Sequence, residues 1–182
     1  MAIDRMTQHH AHRGTARSGR ATGAVAVVMA LALALLAGCN AQSAPASAES
    51  NMQTVVIGGR TFHLELALDD EARYTGLGGR ESIPPDGGML FVFPYPRQTD
   101  FVMRDCLVPI DIIFLGPRGE ILAMYEMQVE PPESRSFPSR YYSSNGYTQF
   151  VIELAGGTLE QLNLKRGQRI ELPFDELKAR AQ

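Results

Sequence analysis

The feature that most limits what this chain can fold into is a break in its own composition at Cys39. Ahead of it, Arg5, Arg13, Arg17 and Arg20 lead into an apolar run from Ala21 to Ala37, 17 residues long, and Asp4 is the only acid. Such a run lies at the short edge of what spans a bilayer, and much of it is weakly apolar alanine. Small residues just before a cysteine point to a processed export segment rather than a permanent anchor, with an uncleaved signal anchor as the alternative. After Cys39, residues 40 to 51 contain no large apolar group, so they cannot repay the entropy of ordering and read as a flexible tether. About 130 residues are left to fold, enough for one hydrophobic core but not comfortably for two.

Leu36-Ala37-Gly38-Cys39 resembles the bacterial lipobox. That resemblance implies diacylglyceryl transfer to Cys39, cleavage before it and acylation of the new amino terminus, so that several chains together hold the protein on a membrane. Residues 1–38 are then the signal segment, with Met6 a second possible start, and residues 39–53 are the lipidated terminus and tether. Asn40, where Asp would retain a lipoprotein at the inner membrane, favours the periplasmic face of the outer membrane in a Gram-negative cell.

Processing also changes the charge balance. The chain has 17 Lys and Arg against 20 Asp and Glu; without the leader's four arginines and one aspartate the counts are 13 and 19, a net charge of −6. A mildly acidic domain repels a phosphate backbone, so nucleic acid is excluded as a partner. With Cys39 lipidated, Cys106 has no intrachain partner, and stability must come from packing.

The remaining sequence reads as short strands. Thr54–Ile57 and Thr61–Leu68 flank a Gly58-Gly59 turn, and in the second strand Phe62, Leu64, Leu66 and Leu68 share one face. Asp69 is placed to cap a short helix with Asp70 and Glu71 in its first turn, ending near Gly76. Gly88–Phe93 and Phe101–Met103 are further strand candidates. Pro109–Leu115 and Ile121–Tyr125 flank Gly116-Pro-Arg-Gly119, which predicts a hairpin. Gln149–Leu154 alternates as a strand, Ala155–Asn163 reads as a second short helix, and Arg169–Leu172 as a last strand. The expected fold is mainly β, a compact sandwich or partly open barrel with one or two short peripheral helices, over residues 54–173, followed by a C-terminal segment from 174 to 182 that reads from Asp175 as a terminal helix or a frayed tail.

Three stretches carry a family resemblance: Glu71-Ala-Arg-Tyr-Thr-Gly-Leu-Gly-Gly-Arg80, Gly88-Met-Leu-Phe-Val-Phe93 and Phe101-Val-Met-Arg-Asp-Cys-Leu-Val-Pro-Ile-Asp-Ile-Ile-Phe-Leu115. Their order and spacing resemble the DUF192 family, also called UPF0127. Its pattern runs from A-x-x-x-R-x-x-G-L-M-x-R through G-M-L-F-x-F to F-W-M-K-N-T-x-x-P-L-D-I-x-F. A later L-E-L-x-x-G is met by Val151-Ile-Glu-Leu-Ala-Gly156. The resemblance spans about residues 54–172 and implies a compact mainly β fold in an exported or membrane-linked setting, with no established activity. Arg73, Gly76, Leu77, Arg80, Gly88, Met89, Leu90, Phe91, Phe93, Phe101, Met103, Pro109, Asp111 and Phe114 match the pattern. Gly78 stands where the pattern has Met, Val102 where it has Trp, Arg104 for Lys, Asp105 for Asn and Cys106 for Thr. If Trp, Asn and Thr line a pocket in relatives, the version here is smaller and more acidic, or that use has been lost, since an indole supplies a large apolar surface with a donor.

Asp111 sits among Ile110, Ile112 and Ile113, where a carboxylate needs donors or a cationic partner; Arg73, Arg80 and Arg104 are the candidates, and a structural ion pair competes with a ligand site. A hydrolase would use a carboxylate pair drawn from Asp105, Asp111 and Glu126. His63 is the one histidine left after processing and reads as a strand residue, and no metal centre is expected. Cys106 has no activating histidine near it in sequence and reads as a buried thiol. No nucleophile elbow, dinucleotide fingerprint or phosphate loop occurs, and no cofactor is expected. Between Pro131 and Tyr147, Arg135 and Arg140 can meet an anion, while Tyr141, Tyr142 and Tyr147 can stack on a sugar or clasp a peptide; a proline-braced surface loop is the plainer reading. The functional expectation is a lipid-tethered envelope accessory or binding domain for a protein, peptide or glycan, recognising it in a groove between this loop and the Arg73–Arg80 region.

Overall fold

The computed structural model describes residues 51–131 and 140–182. The export segment, Cys39, most of the tether and Arg135 lie outside the described residues. One mixed sheet organises the domain. Its strands are β1 (Met52–Ile57), β2 (Arg60–Ala67), β3 (Gly87–Arg97), β5 (Ile110–Leu115), β6 (Ile121–Met127) and β8 (Thr148–Ala155), in the spatial order β1-β2-β3-β8-β5-β6. β4 (Asp100–Phe101) and β7 (Tyr142–Ser143) form a second, two-stranded sheet. Three short helices complete the set: α1 (Asp70–Thr75), α2 (Thr158–Leu162) and α3 (Phe174–Arg180). The fold is mainly β and sandwich-like. Among the described residues β1 and β6 pair with no outer strand, and the sheet does not close into a barrel.

Local chemistry explains most element ends. Asp69 accepts the Ala72 N–H at 2.8 Å and starts α1, and Gly76 ends it at a φ of 52°. The Gly116–Gly119 turn closes the β5–β6 hairpin, with the Gly116 N–H donating to Glu120 O at 2.9 Å. β2 and β3 pair in parallel, which requires the α1 crossover between them. Arg169–Leu172 makes only an isolated bridge to Glu120 instead of a strand, although Ile170 and Leu172 are buried. Of the two readings of the C-terminal segment, terminal helix or frayed tail, the helix is the one that forms. It folds as α3 with Leu177 fully buried, a contact worth about 2 kcal/mol.

Strand alternation splits the core into two. On one face, Phe62, Leu64, Leu90, Val92, Ile113, Leu115, Phe150 and Ile152 pack with Leu162 of α2 and Leu177 of α3. On the other, Met89, Phe91, Phe93, Ile110, Ile112, Phe114 and Val151 pack with Leu77 and Met103. The second face is covered by α1, the turn after it and the irregular chain around β4. It holds the cleft described next.

Candidate functional site

A cleft of about 700 Å³ opens on this second face. α1 and the Gly76–Gly79 turn form one wall, residues 97–106 form the other, and β3 and β8 supply the floor. Phe91, Phe93 and Phe101 make it apolar, and Tyr74 stands at its rim. Phe101 is held by the β4–β7 pairing and by a run of tilted ring contacts from Phe91 through Phe101, Phe114 and Tyr125 to Tyr142, with centroids 5.1, 5.5, 6.1 and 5.6 Å apart.

Glu153 lies on the floor, and the sequence reading did not single it out. Phe150, Ile152 and Leu154 point to one face of β8, which turns Val151 and Glu153 to the other. Opposite Glu153 stand Met89 of β3 and Ile112 of β5, both apolar. Gly88 lets β3 come this close: a Cβ there would stand 2.2 Å from Glu153 O. The Gly76 turn passes over the carboxyl, so a Cβ at Gly76 would be 3.8 Å from Glu153 Oε2 and 3.4 Å from the Phe91 ring. Glu153 is 5% exposed and makes no hydrogen bond or ion pair among the described residues. Burial pushes its carboxyl up to about 8, against a weaker opposing pull from Arg80. At neutral pH the group is chiefly the uncharged acid, one donor and one acceptor aimed at the cleft.

Cys106 also lines the cleft. Burial, then the charges of Glu153 and Asp105, push its thiol up to about 12, so it is a protonated, weakly reactive group. Arg104 lies on the rim with its guanidinium 5.1 Å from the Tyr74 ring centroid, and Arg97 is 5.5 Å from that of Phe93. Neither makes an ion pair among the described residues. Val102, Asp105 and Cys106, three departures from the family pattern, all line this cleft, as does Gly78.

The other anticipated residues scatter. Arg73 lines the cleft but is fully engaged, donating to Asp70 Oδ1 and Val92 O at 2.8 Å and to Gln182 O at 2.5 Å. Asp70 is held below the usual carboxylate range by that guanidinium. Arg80 sits outside the cleft and grips Glu65 with two contacts of 2.5 and 2.7 Å; this hydrogen-bonded pair holds the Glu65 carboxyl low. Asp111 is on the opposite face of the sheet, so none of Arg73, Arg80 and Arg104 pairs with it. Its Oδ2 accepts the Leu159 N–H of α2 at 2.7 Å. Desolvation raises its carboxyl, opposed by the amides of Leu159, Gly157 and Thr158. Glu126 is the cross-strand partner of Asp111 but is exposed on the edge strand, so only Asp105 of the three proposed acids lines the cleft.

The described residues of the tyrosine loop line no part of it. Tyr142 is buried in the core, Tyr141 and Tyr147 are exposed elsewhere, and the Arg140 guanidinium lies 5.9 Å from the Tyr142 ring centroid. The loop reaches the cleft only indirectly, through β7 behind Phe101. The cleft that the described residues form lies between α1 and residues 97–106; Tyr142 is taken up by ring packing and Arg80 by Glu65. His63 is exposed on β2, 3.2 Å from Thr54 Oγ1. Among the described residues no three His, Cys, Asp or Glu side chains converge as a metal site.

The model of the DUF192 family, described as an uncharacterized ACR, matches residues 53–172. Among solved structures, a Sinorhizobium meliloti 1021 protein described as "a putative transcription regulator" is 30% identical, with 65% of this chain and 89% of that one covered at a TM-score of 0.56. A protein of unknown function from Novosphingobium aromaticivorans DSM 12444 is 25% identical, with 66% and 85% covered at a TM-score of 0.58. No curated protein matches the chain.

Proposed function

The chain belongs to the DUF192 family, and from that starting point we propose that it is a lipid-tethered binding domain of the cell envelope that holds a small ligand in its cleft. One observation carries the binding part: Glu153 is buried, its carboxyl has no hydrogen-bond or ion-pair partner among the described residues, and it lines an aromatic cavity. A carboxyl that borders a cleft with its donor and acceptor not taken by the protein offers both to a ligand atom. The tethering part is supported by the apolar run and the lipobox-like Leu36–Cys39. The periplasmic face of the outer membrane is the proposed location, from Asn40. A regulator role on DNA, the description attached to the Sinorhizobium protein, has no support in a domain carrying a net charge of −6.

Two masses test this reading. The intact protein extracted from membranes in mild detergent should lack residues 1–38 and carry acyl chains on Cys39. Native spectra should show an additional small molecule that is released by the cleft-filling substitution Val102→Trp. Retention of residues 1–38 without lipid would refute the tether, and a protein with the same native mass before and after denaturation would refute ligand retention.

A further inference from the structure

The ligand's chemistry follows from what the cleft leaves unpaired, and the inference rests on the cleft-binding reading above. Most charged groups around Glu153 are already committed. On α1, Asp70 and Arg73 neutralise each other. Beyond the Gly76 turn, Arg80 is matched by Glu65 of β2. Asp100 of β4 accepts the Ser143 hydroxyl of β7. On the 101–106 segment, the Cys106 thiol is uncharged and Asp105 is itself engaged. The strands flanking β8 present apolar side chains, Met89 and Ile112.

Two guanidiniums are left, Arg97 from the end of β3 and Arg104 from the segment that follows β4, both on the 97–106 wall. Each rests on an aromatic ring and neither makes an ion pair among the described residues. Between them and the floor lie the rings of Phe91, Phe93 and Phe101. Two guanidiniums without an ion-pair partner among the described residues therefore share the cleft with aromatic rings and with the Glu153 carboxyl on its floor. We infer that the cleft takes a small organic anion with an apolar body, its charge held by Arg97 and Arg104 and an acceptor atom held by the Glu153 carboxyl. Guanidiniums fit carboxylate or phosphate oxygens in pairs, and the rings bury the body. An amine ligand is the opposite case. It would need Glu153 ionised, which burial penalises.

The test uses fluorine NMR line broadening of two matched probes, 4-fluorobenzoate and 4-fluorobenzylamine, with the full-length protein in detergent and a detergent blank. The benzoate should bind. Its affinity should fall about tenfold between pH 7 and pH 9 as the Glu153 proton is lost. Glu153→Gln keeps a donor in the same place, so it should retain binding and flatten the pH profile. The double substitution Arg97→Gln/Arg104→Gln should weaken the benzoate at least tenfold while leaving the urea midpoint unchanged. Binding of the benzylamine alone, lost in Glu153→Gln, would overturn the inference while leaving the cleft as a binding site for cations. Binding of neither probe would overturn it as well, and the native mass then decides separately whether the cleft holds a ligand of another class.

Discussion

Replacing Glu153 by Gln should make the protein more stable, and increasingly so as the solution becomes alkaline. The carboxyl ionises near 8 in the folded protein against an ordinary 4.5, because burial penalises the charge. A raised carboxyl means that the folded state holds the proton longer than the unfolded chain does. Stability from this group is thus complete below 4.5 and is lost as pH rises to about 8. Linkage gives a loss of about 1 kcal/mol at pH 5, about 3 at pH 7 and about 5 at pH 9. Gln fills the same volume and cannot ionise, so the gap between variant and wild type should widen by about 4 kcal/mol from pH 5 to pH 9. Urea unfolding followed by far-ultraviolet circular dichroism measures it; the chain has no tryptophan to report on the core. Taking the difference between the two proteins cancels every other titrating group. Parallel pH profiles would show that Glu153 is not buried as a lone carboxyl, and a gap that narrows with pH would mean that its charge is stabilised by a partner.

Two further outcomes follow from the site residues. Cys106, with its thiol pushed up to about 12, should react with iodoacetamide at pH 8 roughly a thousandfold more slowly than the unfolded chain, using Cys106→Ser as the blank; equal rates would put the thiolate within reach of neutral pH. Asp111→Ala should cost about 1–2 kcal/mol in urea unfolding, as a lost helix cap does, with retention of the cleft ligand unchanged; loss of the ligand in that variant would return Asp111 to the binding site.

Asp111 and Glu153 also show where reading the sequence stops. Both are lone carboxylates in apolar strands, and alternation alone marks each as unusual. Asp111 drew attention because it stands in a hairpin bounded by a clear Gly-Pro-Arg-Gly turn, where strand and neighbours are readable together. What each meets depends on pairings that no local pattern carries. β5 delivers Asp111 to the amides at the start of α2, whereas β8 delivers Glu153 to a face left open by α1 and residues 97–106. The hairpin, the Asp69 cap and the mainly β class rest on short-range chemistry and were legible. The parallel β2–β3 pairing and the insertion of β8 between β3 and β5 were not, and the cleft is assembled by them. In the tyrosine loop, composition shows that rings are present but not that Tyr142 spends its face on Tyr125.

The position of β8 has a consequence for the order in which the domain can form. It is the last strand of the sheet to be synthesised, yet it is the one that joins β1-β2-β3 to β5-β6. Until Thr148–Ala155 arrive, β3 and β5 each present an unpaired, largely apolar edge and share no ladder. Long-range pairing of this kind forms slowly, and open edges invite strands from other copies. The sheet therefore cannot be completed until nearly all of the chain has been made. A synthesis arrest or proteolytic cut before Thr148 would leave two sheet fragments competent to pair with neighbours and unable to pair with each other.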